Sequence, residues 1–499
     1  MPDRDFFDLR TALEHLDRHG ELARVEGEVD WNLELGMLAR EVQSRKGPAL
    51  LFTNIKDYQA PGARCAQLTT GLLGSTRRLS LMFGFEDEQP NRTLMEYVLE
   101  RNRRLVPPVI VDRGPVHENV VTGKDIDLAQ LPVPQWHRLD GGRYVGTMGC
   151  VVTKDPESQR VNVGVYRSML ADRDKMATLL VRSQGWGGHF TKYEAMGQPM
   201  PTAWVLGWDP IMDFVASTPH PVEICEYDVM GGYRGRPVPL VKCKTVPLEV
   251  PATAEIVIEG FVSPDPATMR LEGPFAEFTQ YLSDLPTMRP VVQVTAITHR
   301  NQPIFRGTLA GVESAYYGAI HRGGAAWNVL RTAGIPGILD VYIEPITNGT
   351  TIIVQIKKHY EGQPKQIAAA LWGSNAANYA YKRVIVVDDD IDPSDHDAVE
   401  WAINYRVDPG SDDVVTMRGV FGSPLDPSIP LELRNTPELG TGLWTRVVID
   451  ATRTWRFPRR PEWNNEKFPP VSRNRPEDSA LIRDRWDQYR IKKWRPDTF

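Results

Sequence analysis

The sequence predicts a multidomain α/β (α+β) protein whose centre is a β-barrel or a β-sandwich. Its 499 residues exceed what one hydrophobic core accommodates, so two or three domains are expected. Short strand patterns fill the middle of the chain with few helices between them, which is typical of a barrel or sandwich. Strand and helix patterns alternate before and after that stretch, which indicates α/β layers on both sides.

A first α/β domain is expected at about 1–115. Apolar residues at helical spacing predict helices, and a short apolar run predicts a buried strand. The predicted helices are 9–16, 35–42 and 94–105, and the predicted strand is 49–52.

The strand-rich middle domain is expected at about 116–310. Turn residues separate its strands at short intervals. The predicted strands are 144–153, 161–166, 202–206, 255–259 and 291–298. One helix, from Lys175 to Val181, is predicted to interrupt this run.

The pattern changes at about 325, and a C-terminal α/β domain is expected at 325–456. Its predicted strands are 337–343, 351–356 and 383–387, and its predicted helices are 365–372 and 395–406. The last segment, 457–499, is rich in Arg, Pro and Trp, with a helix predicted at 479–492. We interpret this segment as an arm or an oligomer contact.

The composition favours a cytoplasmic protein whose partners are small molecules. Hydrophobic residues make up 41% and charged residues 24% of the chain, as in soluble globular proteins. The net charge of −6, with acids and bases mixed, argues against nucleic acid or an anionic membrane as the main partner. The four cysteines form no CxxC pair, the polar and acidic residues 1–5 are not expected to form a signal peptide, and no apolar run is long enough to span a bilayer.

The most informative stretch is Leu271–Glu277, which places two carboxylates five residues apart across a Gly-Pro turn. Regular sheet spacing would put Glu272 and Glu277 on opposite faces, but the turn can direct both toward one cavity. Of two close carboxylates, one tends to stay charged while the other holds a proton, which suits acid/base chemistry at neutral pH. A surface turn with two solvated glutamates has the same sequence pattern, so both interpretations stay open at this point.

Four other polar residues suggest a site when they are taken together. Asn162 and Arg167 are expected on opposite sides of one strand, where Asn offers a neutral oxygen to a hard cation and Arg a fork for a carboxylate. Glu226 is an acid within a partly apolar run, and His189 follows two glycines. An Asn, a Glu and a His would form a mixed oxygen and nitrogen site that suits Mn²⁺ or Mg²⁺. Exposed strand residues and a structural histidine are the alternatives.

Two further runs have a plain and a functional interpretation. Gly71–Arg78 is similar to a phosphate loop, but a turn with a solvated basic pair is favoured. Asp388–Asp390 follows a buried strand, where a solvated loop is favoured over a metal cluster.

Seven segments, in order, resemble the UbiD-like family of prenylated-flavin-dependent decarboxylases. They are NVGVYR at 162–167, ASTPHPVEICEYD at 216–228, VPLVKC at 238–243, EVPATAEIVIEG at 249–260, LEGPFAEFTQY at 271–281, QIKKHYEGQPKQ at 355–366 and VIVVDDDID at 384–392. The resemblance covers most of residues 70–456. It implies a central split β-barrel that binds flavin, flanked by an N-terminal α/β segment and a C-terminal α/β domain.

The resemblance also implies the cofactors: prenylated FMN, Mn²⁺ (or Mg²⁺) and K⁺. Asn162, Glu226 and His189 match the ligands that hold the divalent metal against the cofactor phosphate, and Lys365 matches the lysine that reaches the phosphate. Ala216 and Ser217 match the segment near the potassium site. The other implied cofactor-binding residues are Val165, Tyr166, Arg167, Thr218 and Pro219.

The implied catalytic residues are Arg167, Glu272 and Glu277. The implied reaction is the non-oxidative, reversible decarboxylation of an aromatic or heteroaromatic acid through a covalent adduct with prenylated FMN. Glu277 is expected to donate the proton that replaces carbon dioxide, whereas Glu272 stays anionic beside Arg167.

Substrate identity is left open by the sequence. Tyr316, His321 and Leu439 are candidate substrate contacts, although the first two would equally suit helix packing. Alternative functions are a decarboxylase of α,β-unsaturated (cinnamic-type) acids, a reductase that uses ordinary FMN, or a non-enzymatic binding protein. A flavin prenyltransferase as cofactor supplier and a homodimer or larger homo-oligomer are the expected partners.

Overall fold

The computed structural model describes residues 4–182, 185–218, 220–221, 223–283, 285–377, 379–434, 442–472 and 476–491. The fold is a multidomain α/β architecture, as the sequence predicts. Within the described ranges the α-helices are Leu9–Arg18, Glu34–Ser44, Thr76–Met82, Asn91–Arg101, Gly185–Ala195, Pro210–Ala216, Glu226–Arg234, Glu313–Thr332, Gln363–Trp372, His396–Arg406 and Pro476–Asp484.

A nine-stranded antiparallel sheet occupies the middle of the chain. In spatial order its strands are Tyr144–Gly146, Ser168–Asp172, Lys175–Thr178, Val291–His299, Ile256–Val262, Met200–Leu206, Cys150–Lys154 and Val161–Gly164, and Asn119–Thr122 also pairs with Val291–His299. The strands at the two ends of this order are not paired with each other, so the sheet is a curled, open half-barrel. This geometry confirms the expected split barrel.

The predicted helix from Lys175 to Val181 is wrong. Lys175–Thr178 is a strand that pairs with Ser168–Asp172 on one side and with Val291–His299 on the other. A short apolar run fits a strand as well as a helical turn, and here tertiary pairing decides. The helix of this region is Gly185–Ala195, whose glycine-rich start hides it in the sequence.

The first region contributes a four-stranded sheet with one strand from elsewhere in the chain. Its strands are Leu22–Val25, Ala49–Phe52, Gln67–Thr70 and Ile304–Arg306. The last of these follows the half-barrel in the chain, so the first and central regions are joined by backbone hydrogen bonds.

The C-terminal region is built on a five-stranded mixed sheet. Its strands, in spatial order, are Ile338–Ile343, Thr351–Ile356, Arg383–Asp388, Leu443–Ala451 and Val414–Phe421. Two small sheets complete the fold: Glu249–Pro251, Pro239–Lys242 and Val109–Ile110, and the pair Arg270–Glu272 and Thr287–Arg289.

The helix Glu313–Thr332 lies at the junction of the regions. It packs against helices Asn91–Arg101 and Gln363–Trp372 and against strand Ile338–Ile343. Beyond the C-terminal sheet, helix Pro476–Asp484 carries the exposed Leu481. No helix in the described part of the chain is long and apolar enough to cross a membrane.

Candidate active site

The Gly-Pro turn after Glu272 is held in a fixed shape by neighbouring backbone. Gly273 has a φ of +86°, a left-handed conformation that glycine adopts without strain. Gly141 packs on this turn so closely that a Cβ there would lie 2.0 Å from the Gly273 carbonyl oxygen. The amide of Ala276 donates to Asp140 Oδ1 (2.9 Å), and the amide of Glu277 donates to the Tyr281 carbonyl (3.0 Å). The turn therefore presents its two carboxylates in one defined arrangement.

Arg167 brings the two carboxylates together. It lies past the end of strand Val161–Gly164, and Thr178 Oγ1 donates to its carbonyl oxygen (2.8 Å). Its Nη2 donates to Glu272 Oε2 (2.9 Å), while its Nη1 donates to Glu277 Oε1 and to Ser283 Oγ (3.0 Å). Arg167, Glu272 and Glu277 are 9%, 1% and 7% exposed. Both buried glutamates therefore accept hydrogen bonds from the guanidinium of Arg167, whereas the sequence suggested only Glu272 as the partner of Arg167.

The electrostatics of this cluster favour a charged guanidinium. Burial alone would lower the pKa of Arg167, but the carboxylates of Glu277 and Glu272 raise it above its usual value. Tyr144, which is fully buried, donates its hydroxyl to Glu272 Oε1 (2.9 Å). Burial, followed by the nearby Glu272 charge, raises the pKa of Tyr144 far above its ordinary value, so this hydroxyl stays a donor.

Sequence reasoning missed Tyr144 and Ser283. A tyrosine in an apolar strand needs a partner for its hydroxyl when it is buried, which is the one signal that could have found Tyr144. Ser283 carries no such signal, because nothing in its neighbourhood distinguishes it from a turn serine.

The three candidate divalent-metal ligands lie around one β-hairpin. Asn162 and Thr153 are cross-strand partners in that hairpin, and Thr153 Oγ1 lies 2.9 Å from His189 Nδ1. Glu226, which starts helix Glu226–Arg234, accepts a hydrogen bond from the Val163 amide through Oε2 (2.9 Å). A Cβ on Gly185 would lie 1.9 Å from Asn162 Oδ1, so a side chain at that position would displace this oxygen.

The protonation states of these groups are set by burial. Burial raises the pKa of Glu226 to about 7, because among the described residues its carboxylate has backbone amides and no cation to stabilise its charge. Burial lowers the pKa of His189, so its imidazole is neutral at pH 7, the form that ligates metals. The set consists of an amide oxygen, a carboxylate and a neutral imidazole, a donor combination that fits Mn²⁺ or Mg²⁺.

Of the other candidate cofactor residues, Tyr166 contacts this set directly. Tyr166 stacks on Trp186 (centroids 4.5 Å apart, planes at 12°) and its hydroxyl accepts from Asn162 Nδ2 (3.3 Å). Val165 is half-buried against the core. Ala216 ends helix Pro210–Ala216, after which Ser217 donates to the Asp213 carbonyl (2.7 Å) and Thr218 to the Phe214 carbonyl (2.9 Å). Pro219 and Leu439 lie outside the described residues.

Three further candidates contact other parts of the chain. Lys365 is 39% exposed in its side chain, with its Nζ 3.4 Å from the exposed Asp412. Tyr316 and His321 belong to helix Glu313–Thr332, where His321 packs on Phe214 and Tyr317. Burial lowers the pKa of His321 well below its usual value, as expected of a packed, neutral ring.

Three family models match the chain in order. They describe the N-terminal domain, the Rift-related domain and the C-terminal domain of 3-octaprenyl-4-hydroxybenzoate carboxy-lyase, and they match residues 13–98, 109–313 and 315–451. A relative in Aquifex aeolicus (strain VF5), described only as an uncharacterized protein, is 33% identical over 97% of this chain and 99% of its own. The chain belongs to the UbiD family of carboxy-lyases.

Solved structures of UbiD-class enzymes share the whole fold. The enzyme HmfF from Pelotomaculum thermopropionicum, solved in complex with FMN, has a TM-score of 0.81 at 29% identity, covering 95% of this chain and 99% of that one. Vanillic acid decarboxylase from Sedimentibacter hydroxybenzoicus has a TM-score of 0.81 at 30% identity, covering 98% and 100%. The 3,4-dihydroxybenzoic acid decarboxylase of Klebsiella pneumoniae has a TM-score of 0.80 at 28% identity, covering 95% and 99%.

Proposed function

We propose that this UbiD-family protein catalyses the non-oxidative, reversible decarboxylation of an aromatic or heteroaromatic carboxylic acid, with prenylated FMN, Mn²⁺ (or Mg²⁺) and K⁺ as cofactors. The observation that carries the proposal is the buried cluster of Arg167, Glu272 and Glu277 beside the half-barrel sheet. The related structures support it, since they include an HmfF complex with prenylated FMN and two decarboxylases of aromatic acids.

We assign the cofactor to the half-barrel and the segments beside it. Asn162, His189 and Glu226 would hold the divalent metal, because the half-buried Glu226 carboxylate lacks a cation among the described residues. Lys365 would neutralise the remaining phosphate charge, since its ion pair with Asp412 is exposed and weak. The Ala216–Thr218 segment would hold the potassium ion.

The acid/base residues have separable roles in this proposal. Prenylated FMN, when bound, supplies the electron sink that no side chain offers. Glu272 accepts hydrogen bonds from Arg167 and Tyr144 and therefore stays anionic. A proton on Glu277 would weaken its ion pair with Arg167, which frees Nη1 to orient the substrate carboxylate. Glu277 then delivers that proton to the carbon that has lost carbon dioxide.

We further propose that a flavin prenyltransferase supplies the cofactor and that the protein works as a homo-oligomer. A dimeric form is known among the related structures, as an evolved version of HmfF.

The decisive variant is Glu277→Gln in protein co-expressed with a flavin prenyltransferase. Loss of the proton donor should lower carbon dioxide release and solvent deuterium exchange by about 10²–10⁴-fold. The absorption spectrum and the mass of the bound cofactor should match those of the wild type, because Glu277 is assigned to proton transfer and not to cofactor binding.

The matched control is Glu96→Gln, which removes a carboxylate from a surface ion pair with Arg92. Its turnover should equal that of the wild type. Wild-type turnover by Glu277→Gln would remove Glu277 from the mechanism. Ordinary FMN as the only cofactor, with no gain from co-expression, would favour a reductase instead.

A further inference from the structure

A buried aspartate outside the Arg167 cluster contacts the turn that carries Glu277. Asp140 Oδ1 accepts a hydrogen bond from the amide of Ala276 (2.9 Å), the residue directly before Glu277. The side chain of Asp140 is fully buried. Because a buried carboxylate is costly unless donors stabilise its charge, the groups around Asp140 decide how firmly it holds the turn.

The other carboxylate oxygen of Asp140 is bound by His137. The His137 amide donates to Oδ2 (3.0 Å), and the imidazole Nδ1 lies 3.3 Å from the same oxygen. Arg40 Nη2 lies 2.6 Å from His137 Nε2, and because a guanidinium only donates, Nε2 is the acceptor of that bond. The imidazole proton is therefore on Nδ1, from which it is donated to Asp140.

The charge of Asp140 depends on these donors. They are the amide of Ala276 and the amide and imidazole of His137. Among the described residues no lysine or arginine pairs with this carboxylate. Hydrogen bonds to a charged acceptor are stronger than neutral ones, so the loss of the imidazole donor should loosen Asp140 and, through it, the turn.

The first region fixes the position of His137. Arg40, which donates to the imidazole, lies on helix Glu34–Ser44. Gly36 of the same helix approaches the segment before His137 so closely that a Cβ there would lie 2.2 Å from the Trp136 carbonyl oxygen. A continuous series of contacts therefore runs from this helix to the turn of the candidate acid/base residues.

We propose that Asp140 is a positioning residue for Glu277, and that His137 and Arg40 hold Asp140 in the orientation that this role requires. Proton transfer requires the Glu277 carboxyl to lie within reach of the carbon that has lost carbon dioxide, and a misplacement of about 1 Å can cost about 10²-fold in rate. Asp140 acts through the main chain, at the Ala276 amide. The proposal rests on the proposed decarboxylase function, which gives Glu277 its role.

The test uses variants of the holoenzyme, made by co-expression with a flavin prenyltransferase. Asp140→Ala removes the acceptor of the Ala276 amide. His137→Leu removes the imidazole donor but leaves the Asp140 carboxylate in the protein, so it tests the role even if Asp140→Ala does not fold. His137→Gln is the conservative variant, because an amide offers both a donor and an acceptor, like the Nδ1 tautomer of histidine.

The control is Asp8→Ala, which removes an aspartate with a similar set of hydrogen bonds. Asp8 accepts the Thr11 amide (2.9 Å) at the start of helix Leu9–Arg18 and a side-chain bond from Arg300 (3.1 Å). Asp8→Ala and Asp140→Ala should both lower the melting temperature. Only Asp140→Ala should change turnover.

We expect Asp140→Ala to lower kcat about 10- to 100-fold and to change KM about threefold or less, because the acid is misplaced while substrate binding is kept. His137→Leu should lower kcat about threefold or more, and His137→Gln should restore it to within about twofold of the wild type. Exchange mass spectrometry should show faster amide hydrogen exchange at Ala276 in Asp140→Ala and in His137→Leu, and the wild-type rate in Asp8→Ala.

Wild-type kcat in Asp140→Ala, or an equal loss of kcat in Asp8→Ala, would overturn the positioning role. Equal kcat in His137→Gln and His137→Leu would remove His137 and Arg40 from it. Failure of the proposed function is a different result, in which the wild type releases carbon dioxide from no acid. Since amide exchange needs no turnover, an unchanged rate at Ala276 in Asp140→Ala would overturn the inference in either case.

Discussion

Two residues approach the carboxylate of Glu272 from different parts of the half-barrel. Tyr144, on its first strand in spatial order, donates to Oε1, and Arg167 donates to Oε2, both at 2.9 Å. Each bond to a charged group contributes about 1.5–3 kcal/mol. The Tyr144 hydroxyl therefore fixes the carboxylate that keeps Arg167 in place, and we regard Tyr144 as a positioning residue.

Tyr144→Phe should reduce kcat about tenfold or more, with a smaller change in KM. The loss of one donor lets Glu272 and Arg167 shift, which disturbs the transition state more than binding of the substrate. Steady-state kinetics of the holoenzyme measure both parameters.

Tyr97→Phe is the control for the removal of a buried tyrosine hydroxyl. Tyr97 is 4% exposed and donates to the Phe83 carbonyl (3.1 Å) outside the site. Both variants should lose similar thermal stability, but only Tyr144→Phe should lose kcat. Equal kcat in the two variants would leave Tyr144 a purely structural role.

The sequence predicts which residues form the cluster better than it predicts how they pair. Glu272 and Glu277 stand out because a Gly-Pro turn separates them, and Arg167 because it lies in a segment similar to a known family. Their contacts join segments more than 100 residues apart in the chain, as between Arg167 and Glu277. Such pairing is a property of the folded sheet, and no local pattern encodes it.

Three separate elements supply the proposed divalent-metal ligands. Asn162 lies on strand Val161–Gly164, His189 on helix Gly185–Ala195 and Glu226 at the start of helix Glu226–Arg234. An ion bound by all three would link these elements only in the folded state, so its binding energy adds to folding stability.

Mn²⁺ should raise the melting temperature of cofactor-free, chelator-treated protein by a few degrees. At 100 times the dissociation constant the gain is about 2.7 kcal/mol. Thermal unfolding with and without Mn²⁺ measures it. Glu226→Gln should abolish most of the shift, whereas Glu223→Gln, an exposed residue of the preceding loop, should keep it. A full shift in Glu226→Gln would place the metal elsewhere.

At the scale of elements, the acidic run Asp388–Asp390 and the basic residue Arg78 show that a local sequence pattern does not predict which charges are buried. Asp389 and Asp390 lie exposed in a turn, as the predicted solvated loop requires, but Asp388 is 5% exposed and accepts hydrogen bonds from Arg406 Nη1 (3.1 Å) and the Arg453 amide (2.7 Å). Arg78, predicted to be a solvated base, is fully buried and paired with Glu21. In both places the residue types are visible in the sequence, but their counter-charges come from distant elements.

At the scale of the whole molecule, a buried ionic network joins the first region to the central region and to helix Glu313–Thr332. Arg306, on the strand shared by the first sheet, pairs with Asp213 (3.1 Å) and through two nitrogens with Glu313 (2.6 and 2.9 Å). Glu313 also accepts the amides of Gly71 (2.8 Å) and Leu73 (2.9 Å). The loop that is similar to a phosphate loop therefore binds a carboxylate of the chain itself.

Charge in this network is unevenly stabilised. Burial raises the pKa of Asp213 to about 7, although Arg306 partly opposes this. Burial acts in the same direction on Glu313, but Arg306 and the loop amides hold its pKa below the usual value. Glu313 is thus the main counter-charge of Arg306.

Glu313→Gln should destabilise the protein by about 3–5 kcal/mol, because removal of one partner leaves a buried charge uncompensated. The Gly71 and Leu73 amides each donate to one oxygen of Glu313, and glutamine keeps only one acceptor oxygen, so hydrogen exchange at 71–73 should accelerate first, ahead of that of the half-barrel strands. Denaturant titration and exchange mass spectrometry measure the two effects. Glu41→Gln, which breaks a surface pair with Arg45, should cost about 0.5 kcal/mol or less and leave the loop protected. Unchanged exchange at 71–73 in Glu313→Gln would show that other contacts hold the first region on the rest of the molecule.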